Sequence, residues 1–229
     1  MKGFRRNGGL RVARSGSRPI WLWILILLPA TRYTLPAATI DRIAALVDRQ
    51  VLAVSEITQM EDIRFFPRPT GQSEDDYRRA ILDDLIAQAL RYRDVERFGA
   101  ADVSKDAIEA RLVEIQKRSA SVVEFNSAVQ KAELTLDEVR ALIKRELQVE
   151  NYIQERFAPM IAVSSDEIET YYKGPFTQQR RQRGLAAPSL ADVQEEIRTT
   201  LKASRLQQEV DKWTTELRSR ANVDVYTWR

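Results

Sequence analysis

Two short apolar runs rich in Val, Ile and Leu begin the patterned part of the chain, within residues 40–54. The polar residues Asp48, Arg49 and Gln50 separate them, which predicts a β-hairpin. The turn lacks the Asn-Gly or Asp-Gly pair that favours two-residue hairpin loops, so the type of turn stays open. An alternating segment at residues 223–226 predicts another strand. Short strands need partners for their backbone groups, and we therefore expect both segments to share one small sheet.

Between these strands, apolar residues recur every three or four positions, as in helices with one buried face. The spacing predicts helices at residues 55–65, 75–98, 104–118, 122–131, 135–157, 165–172 and 189–217. Ser104 is placed to cap one helix, and Thr135 with Glu138 forms a capping box for another. Gly99 and Pro159 stand where two helices should end. The predicted fold is mainly α, a multi-helix domain with a small sheet from the N-terminal hairpin and the C-terminal strand.

The polar, basic segment at residues 173–188 shows neither helical nor strand periodicity. Gly174 and Pro175 end the preceding helix, so the segment is predicted to be an irregular linker. It separates a helical region, residues 39–172, from a C-terminal helix and strand, residues 189–229. We expect this C-terminal part to pack back on the core.

The N-terminus has the pattern of an export signal. Residues 1–19 carry six basic residues and no acidic ones, and a nine-residue apolar run ending at Leu28 follows. That run is short for a bilayer span, which needs roughly 20 apolar residues. We expect residues 1–38 to be a signal peptide cleaved after Ala38. An uncleaved N-terminal anchor stays open, because Leu35 or Pro36 stands where a small residue is preferred.

Charge and composition narrow the function. Residues 1–38 hold seven of the 36 basic residues, which leaves 29 basic against 33 acidic residues, a net charge of −4. The basic excess therefore belongs to the export signal, and a nucleic-acid partner is not expected. The chain has no cysteine and no histidine, which excludes disulfides, thiolate catalysis and imidazole chemistry. No nucleotide-binding fingerprint is present, and we expect no cofactor and no metal.

The order of elements, together with several stretches of sequence, resembles the SurA-type family of periplasmic chaperones. The stretches are IDRIAALVDRQVLAVSEI, ILDDLIAQALRYRDVERFG, VSKDAIEARLVEI, LTLDEVRALIKRELQVENYIQERFAPMIAVSSDEIETYY and PSLADVQEEIRTTLKASRLQQEVDKWTTELRSRANVDV. The likeness covers almost the whole chain after residue 38. It implies a SurA N-terminal-like helical chaperone domain at residues 39–172, to which the C-terminal helix and strand return.

The resemblance also implies a difference in domain content. SurA-type proteins carry one or two parvulin-type prolyl isomerase domains at the position of residues 173–188. So short a segment cannot fold as a domain, for which about 50 residues is a lower bound. We therefore expect the isomerase domain to be missing, no catalytic residue to be present and the chain not to be an enzyme.

The implied function is ATP-independent holding of unfolded envelope proteins in the periplasm, outer-membrane β-barrels above all. Membrane contact would come only through an uncleaved export signal. Two other functions stay open. The chain could be a non-catalytic envelope adaptor that binds one folded partner, or it could retain some peptidyl-prolyl isomerase activity.

A holdase needs exposed apolar surface to bind its clients. Phe65, Phe66, Met160 and Phe176 stand beside the proline and glycine positions where helices end. Rigid aromatic rings and flexible methionines suit promiscuous contacts, so these four residues are the predicted client-binding surface. The alternative, that they fasten loops to the core, stays equally open.

Overall fold

Helices dominate the part of the chain that the computed structural model describes, residues 41–226. The elements are β1 Ile43–Val47, β2 Gln50–Ala53, α1 Val54–Asp62, α2 Glu74–Phe98, α3 Lys105–Gln116, α4 Val122–Lys131, α5 Leu136–Arg156, α6 Ser165–Tyr171, α7 Thr177–Gln182, α8 Leu190–Arg220 and β3 Val223–Val225. A 3-10 turn, Ala158–Met160, follows α5, and a π-helical turn, Tyr172–Phe176, joins α6 to α7. The predicted mainly helical fold with a small sheet is confirmed. The predicted signal peptide and its cleavage site lie outside the described residues.

The sheet joins the N-terminal hairpin to the C-terminal strand, as predicted. Its strand order is β2-β1-β3, and both pairs are antiparallel. Asp48 begins the hairpin turn at a φ of 53°, a left-handed conformation that Asp adopts more readily than most residues. The backbone N–H of Asp48 donates to the carbonyl of Asn222 at 2.7 Å, and its carboxylate accepts from the N–H of Asn222 at 2.9 Å. These bonds hold the start of β3 against the turn.

The main core lies between the sheet and the first five helices. Its fully buried side chains include Ile57, Ile81, Ile86, Phe125, Val139 and Ile143. Leu217 of α8 and Val223 of β3 also pack against this cluster. A second cluster, built by Val95, Val149, Phe157 and Trp213, joins α8 to α2 and α5. The expectation that the C-terminal helix and strand pack on the core is therefore confirmed.

The prediction that residues 173–188 lack regular structure is wrong for most of the segment. Residues 172–176 form the π-helical turn and residues 177–182 form α7. Pro175 lies within this turn and contributes no backbone N–H to it. Burial of Phe176 in a third cluster, with Ile168 of α6 and two residues of α8, favours this conformation. Whether the segment stands in place of an isomerase domain remains a prediction.

The ion pair between α6 and α8 gives a pH-dependent contribution to stability. Glu167 accepts hydrogen bonds from Ser164, whose backbone N–H donates at 2.8 Å, and pairs with Arg205 of α8. These bonds, the backbone one foremost, lower the pKa of Glu167 to about 2. Because the pKa of Glu167 is lower in the folded protein than in the unfolded chain, its ionised carboxylate stabilises the fold fully above pH 4.5. This contribution to the free energy of unfolding is lost as the pH falls towards 2.

We expect Glu167→Gln to lower the free energy of unfolding at pH 7, with a difference from the wild type that shrinks steadily below pH 4.5. Urea unfolding at pH 7, 4 and 2.5 measures this. As a matched control, Glu169→Gln removes an exposed carboxylate from the same helix whose ion partner, Lys173, belongs to the adjoining π-helical turn rather than to α8. A pH-independent difference for Glu167→Gln would contradict the assignment.

Candidate functional site

The four predicted client-binding residues differ in exposure and in location. Phe65 is only 4% exposed in the main core, and Phe176 is buried in the third cluster, where its ring stacks on Tyr172 at 5.8 Å. The expectation that these two side chains are exposed is wrong, because each ring packs into an apolar cluster instead of facing solvent. Phe66 is half-buried, and Met160 is 67% exposed.

The loop after α1 is held by hydrogen bonds to its backbone, so that Phe66 is presented in a fixed position. We call residues 64–68 the Phe66 loop. The guanidinium of Arg118 donates to the carbonyl of Arg64 at 3.0 Å and to that of Phe65. The hydroxyl of Tyr77 donates to the carbonyl of Phe66 at 2.7 Å. Three successive carbonyls are therefore satisfied, while the Phe66 ring meets that of Phe65 only edge-on at 5.2 Å.

Phe66 lines two open clefts. The first, about 600 Å³, is lined by Glu61, Asp62, Arg64, Phe66, Pro67, Arg68, Tyr77 and Arg118. The second, about 160 Å³, is lined by Phe66, Asp84, Gln88, Arg91, Glu146, Val149, Glu150 and Ile153. Each cleft combines apolar walls with charges of both signs. A ring placed between two such clefts can contact an extended polypeptide along either of them.

Most charges of the first cleft are engaged with neighbouring elements. Arg64 pairs with Glu124 at 3.2 Å, and the carboxylate of Asp62 pairs with Lys131 at 2.8 Å. Arg68 lies over the ring of Tyr77, 5.3 Å from its centroid. Burial, with the nearby carboxylate of Glu61, raises the pKa of Tyr77, so this phenol stays neutral and serves as a hydrogen-bond donor.

The second cleft contains one carboxylate with unused bonding capacity. Glu146 accepts from Arg111 at 2.9 Å through Oε1, but its Oε2 is buried and has no hydrogen-bond partner among the described residues. Burial, opposed by Arg111, raises the pKa of Glu146. That oxygen is too buried to meet a bound chain, so the apolar wall of Phe66, Val149 and Ile153 is what the cleft offers to a client.

A second exposed aromatic group was not predicted. Phe98, at the end of α2, is 65% exposed and stacks on Tyr152 of α5 at 6.3 Å, with Arg156 over both rings. Met160 lies in the 3-10 turn that follows α5, where its N–H donates to the carbonyl of Phe157. Gly99 follows Phe98, so the helix-end signal that selected the other candidates was present here as well.

The side chains around the Phe66 loop form a surface suited to binding. Within residues 41–226, no group of three carboxylates, or of other ligating side chains, could hold a metal ion. The hydroxyl of Ser164 caps α6 by accepting from the N–H of Glu167 at 3.3 Å. None of the helices in this part of the chain is both long and apolar enough to cross a membrane. What the Phe66 loop offers is a fixed aromatic ring beside two polar-edged clefts.

Comparison with known proteins finds relatives that are named chaperone SurA. No family model matches the chain. The protein named chaperone SurA from Alkalilimnicola ehrlichii is 28% identical over 149 residues, which are 62% of this chain and 34% of the relative. That from Chromobacterium violaceum is 28% identical over 182 residues, 73% of this chain and 40% of the relative. That from Saccharophagus degradans is 23% identical over 139 residues, 58% and 32% respectively.

The described fold is a helical domain, closed by a C-terminal helix and strand that return to an N-terminal hairpin. The chain is SurA-like in sequence, and the predicted resemblance is confirmed. It spans about a third of the length of the curated relatives it matches. The names of those relatives support a chaperone role in general terms.

Proposed function

We propose that this protein is an ATP-independent holdase of the periplasm, with unfolded outer-membrane β-barrel proteins as its clients. The single observation that carries the proposal is the Phe66 ring, fixed between two clefts in a chain similar to proteins named chaperone SurA. Unfolded chains expose apolar side chains that such a surface can bury without chemistry. Release would then follow from competition between binding and the client's own folding.

Phe66 is the proposed central contact, with Met160 as a second exposed contact on a different part of the chain. Phe65 serves the core instead, and its substitution would test folding rather than binding. The periplasmic location rests on the export signal predicted at residues 1–38, and a non-enzymatic role rests on the short segment at residues 173–188 that we expect in place of an isomerase domain.

The test measures aggregation of a denatured outer-membrane porin, diluted without ATP in the presence of the protein. We expect suppression at near-stoichiometric amounts. Phe66→Ser should weaken it about tenfold, because an aromatic contact worth about 1.4 kcal/mol is lost. Val123→Ser is the matched control. It removes an apolar side chain that is 75% exposed on α4 and lines neither cleft.

Urea unfolding of each variant shows that the proteins compared are folded. Equal suppression by wild type and Phe66→Ser would reject the Phe66 loop as the client site while leaving holding itself intact. No suppression by the folded wild type would reject the holdase. A single saturable partner in a pull-down would then favour the adaptor.

A further inference from the structure

Four arginines surround the turn between β1 and β2, on a part of the surface that the proposed holding of clients does not use. Arg49 belongs to the turn, Arg93 and Arg97 to the last two turns of α2, and Arg220 to the last turn of α8. Arg93, Arg97 and Arg220 line one cleft of about 160 Å³. Arg49 and Arg93 line an adjoining cleft of about 620 Å³. We call these four residues the arginine cluster.

Two carboxylates share the clefts, but both are bonded to the protein's own groups. The carboxylate of Asp48 accepts from the N–H of Asn222 at 2.9 Å and pairs with Arg93. Asp94 accepts from the indole N–H of Trp213 at 3.2 Å. The clefts therefore hold four positive charges, one of which is paired with Asp48, against two negative ones.

The remaining guanidiniums are weakly paired. Arg220 lies 3.9 Å from Glu216, at the limit of an ion pair, while Arg49 and Arg97 form no ion pair within residues 41–226. Basic residues in the last turn of a helix offset the partial negative charge there. That effect accounts for Arg97 and Arg220 one at a time. It does not explain why both residues line a cleft together with Arg93, or why Arg49 lines the adjoining cleft.

We propose that the arginine cluster binds a phosphate group, either as the free anion or as part of a lipid headgroup. A guanidinium presents two parallel N–H donors that match two oxygens of a phosphate, and several guanidiniums can share one such anion. The smaller cleft exceeds the roughly 30 Å³ of a water molecule several-fold, so a tetrahedral anion has room. Leu90 and Leu217 also line it, which suits a phosphate attached to an apolar group.

The experiment titrates the full chain with inorganic phosphate by calorimetry, and in parallel with vesicles of phosphatidylglycerol or phosphatidylcholine by cosedimentation, at constant ionic strength. Arg97→Gln with Arg220→Gln should weaken binding at least about tenfold, since two charge-assisted contacts are lost. The matched control is Arg181→Gln with Arg183→Gln, which removes the same charge from exposed positions in and after α7. Circular dichroism confirms the fold, and Arg49→Gln, in the exposed turn, replaces the double variant if that variant unfolds.

Phosphate binding that only the cluster variant loses supports a site for the free anion. Binding confined to phosphatidylglycerol vesicles, again lost only by the cluster variant, supports a headgroup site. Equal weakening by both double variants would mean that overall charge is responsible and would overturn the proposal, as would failure of both probes to bind the wild-type protein.

Discussion

Replacing Trp213 with alanine is expected to lower the free energy of unfolding by about 3–5 kcal/mol, the usual cost of removing a large buried aromatic side chain. Trp213 is 7% exposed, and its ring lies 5.4 Å from that of Phe157 and 5.6 Å from that of Tyr152. Its indole N–H also donates to Asp94 of α2 at 3.2 Å. Trp213 thus fastens α8 to both α2 and α5, and urea unfolding measures the effect.

The matched variant is Trp213→Phe, which keeps most of the apolar area and loses the hydrogen bond. We expect it to cost about 1–1.5 kcal/mol, the net value of one such bond with a small packing loss. The difference in unfolding free energy between Trp213→Ala and Trp213→Phe measures the contribution of packing, and the loss for Trp213→Phe measures mainly that of the hydrogen bond. A loss below about 1 kcal/mol for Trp213→Ala would mean that α8 contributes little to the fold.

Much of this architecture is predictable from local sequence, because its signals are short-range. The helix at residues 122–131 has the same bounds in the sequence prediction and in the structure, and Ser104 and Thr135 cap the helices they were expected to cap. The shared sheet was predicted from the need of short strands for partners. The helices and their caps depend on periodicity and on hydrogen bonding within a few residues, whereas the sheet pairs residues far apart in the chain.

Local sequence signals do not predict the conformation of residues 173–182. Gly174 and Pro175 carry a strong local signal for a break, yet Phe176 is buried against Ile168, Val193 and Ile197. The last two of these residues belong to α8, so this contribution to the conformation comes from tertiary packing rather than from the local sequence. A helix there could not be predicted from the segment alone.

The candidate site was predictable only in part for a related reason. Residues at helix ends can turn either inward or outward, and sequence does not say which. Phe65 and Phe66 are neighbours with the same local signal, yet the first is buried and the second lines two clefts. The choice between them is made by distant groups, Arg118 and Tyr77, that bond the loop carbonyls.

Because the Phe66 loop depends on Arg118, replacing this arginine gives the second prediction. Arg118→Met is expected to lower the free energy of unfolding by about 2 kcal/mol, because hydrogen bonds from a charged donor contribute about 1.5–3 kcal/mol and one of the two here is exposed. Holding of a denatured porin should fall as well, since the Phe66 ring loses its fixed position and must be ordered on binding.

Lys117→Met is the control. It removes the same charge from the preceding, exposed residue, and it should change neither stability nor holding. Urea unfolding and the aggregation assay, run on the same preparations, separate the two effects. Loss of stability with unchanged holding would show that Phe66 does not need its loop to be fixed, whereas equal effects of both variants would assign the result to charge alone.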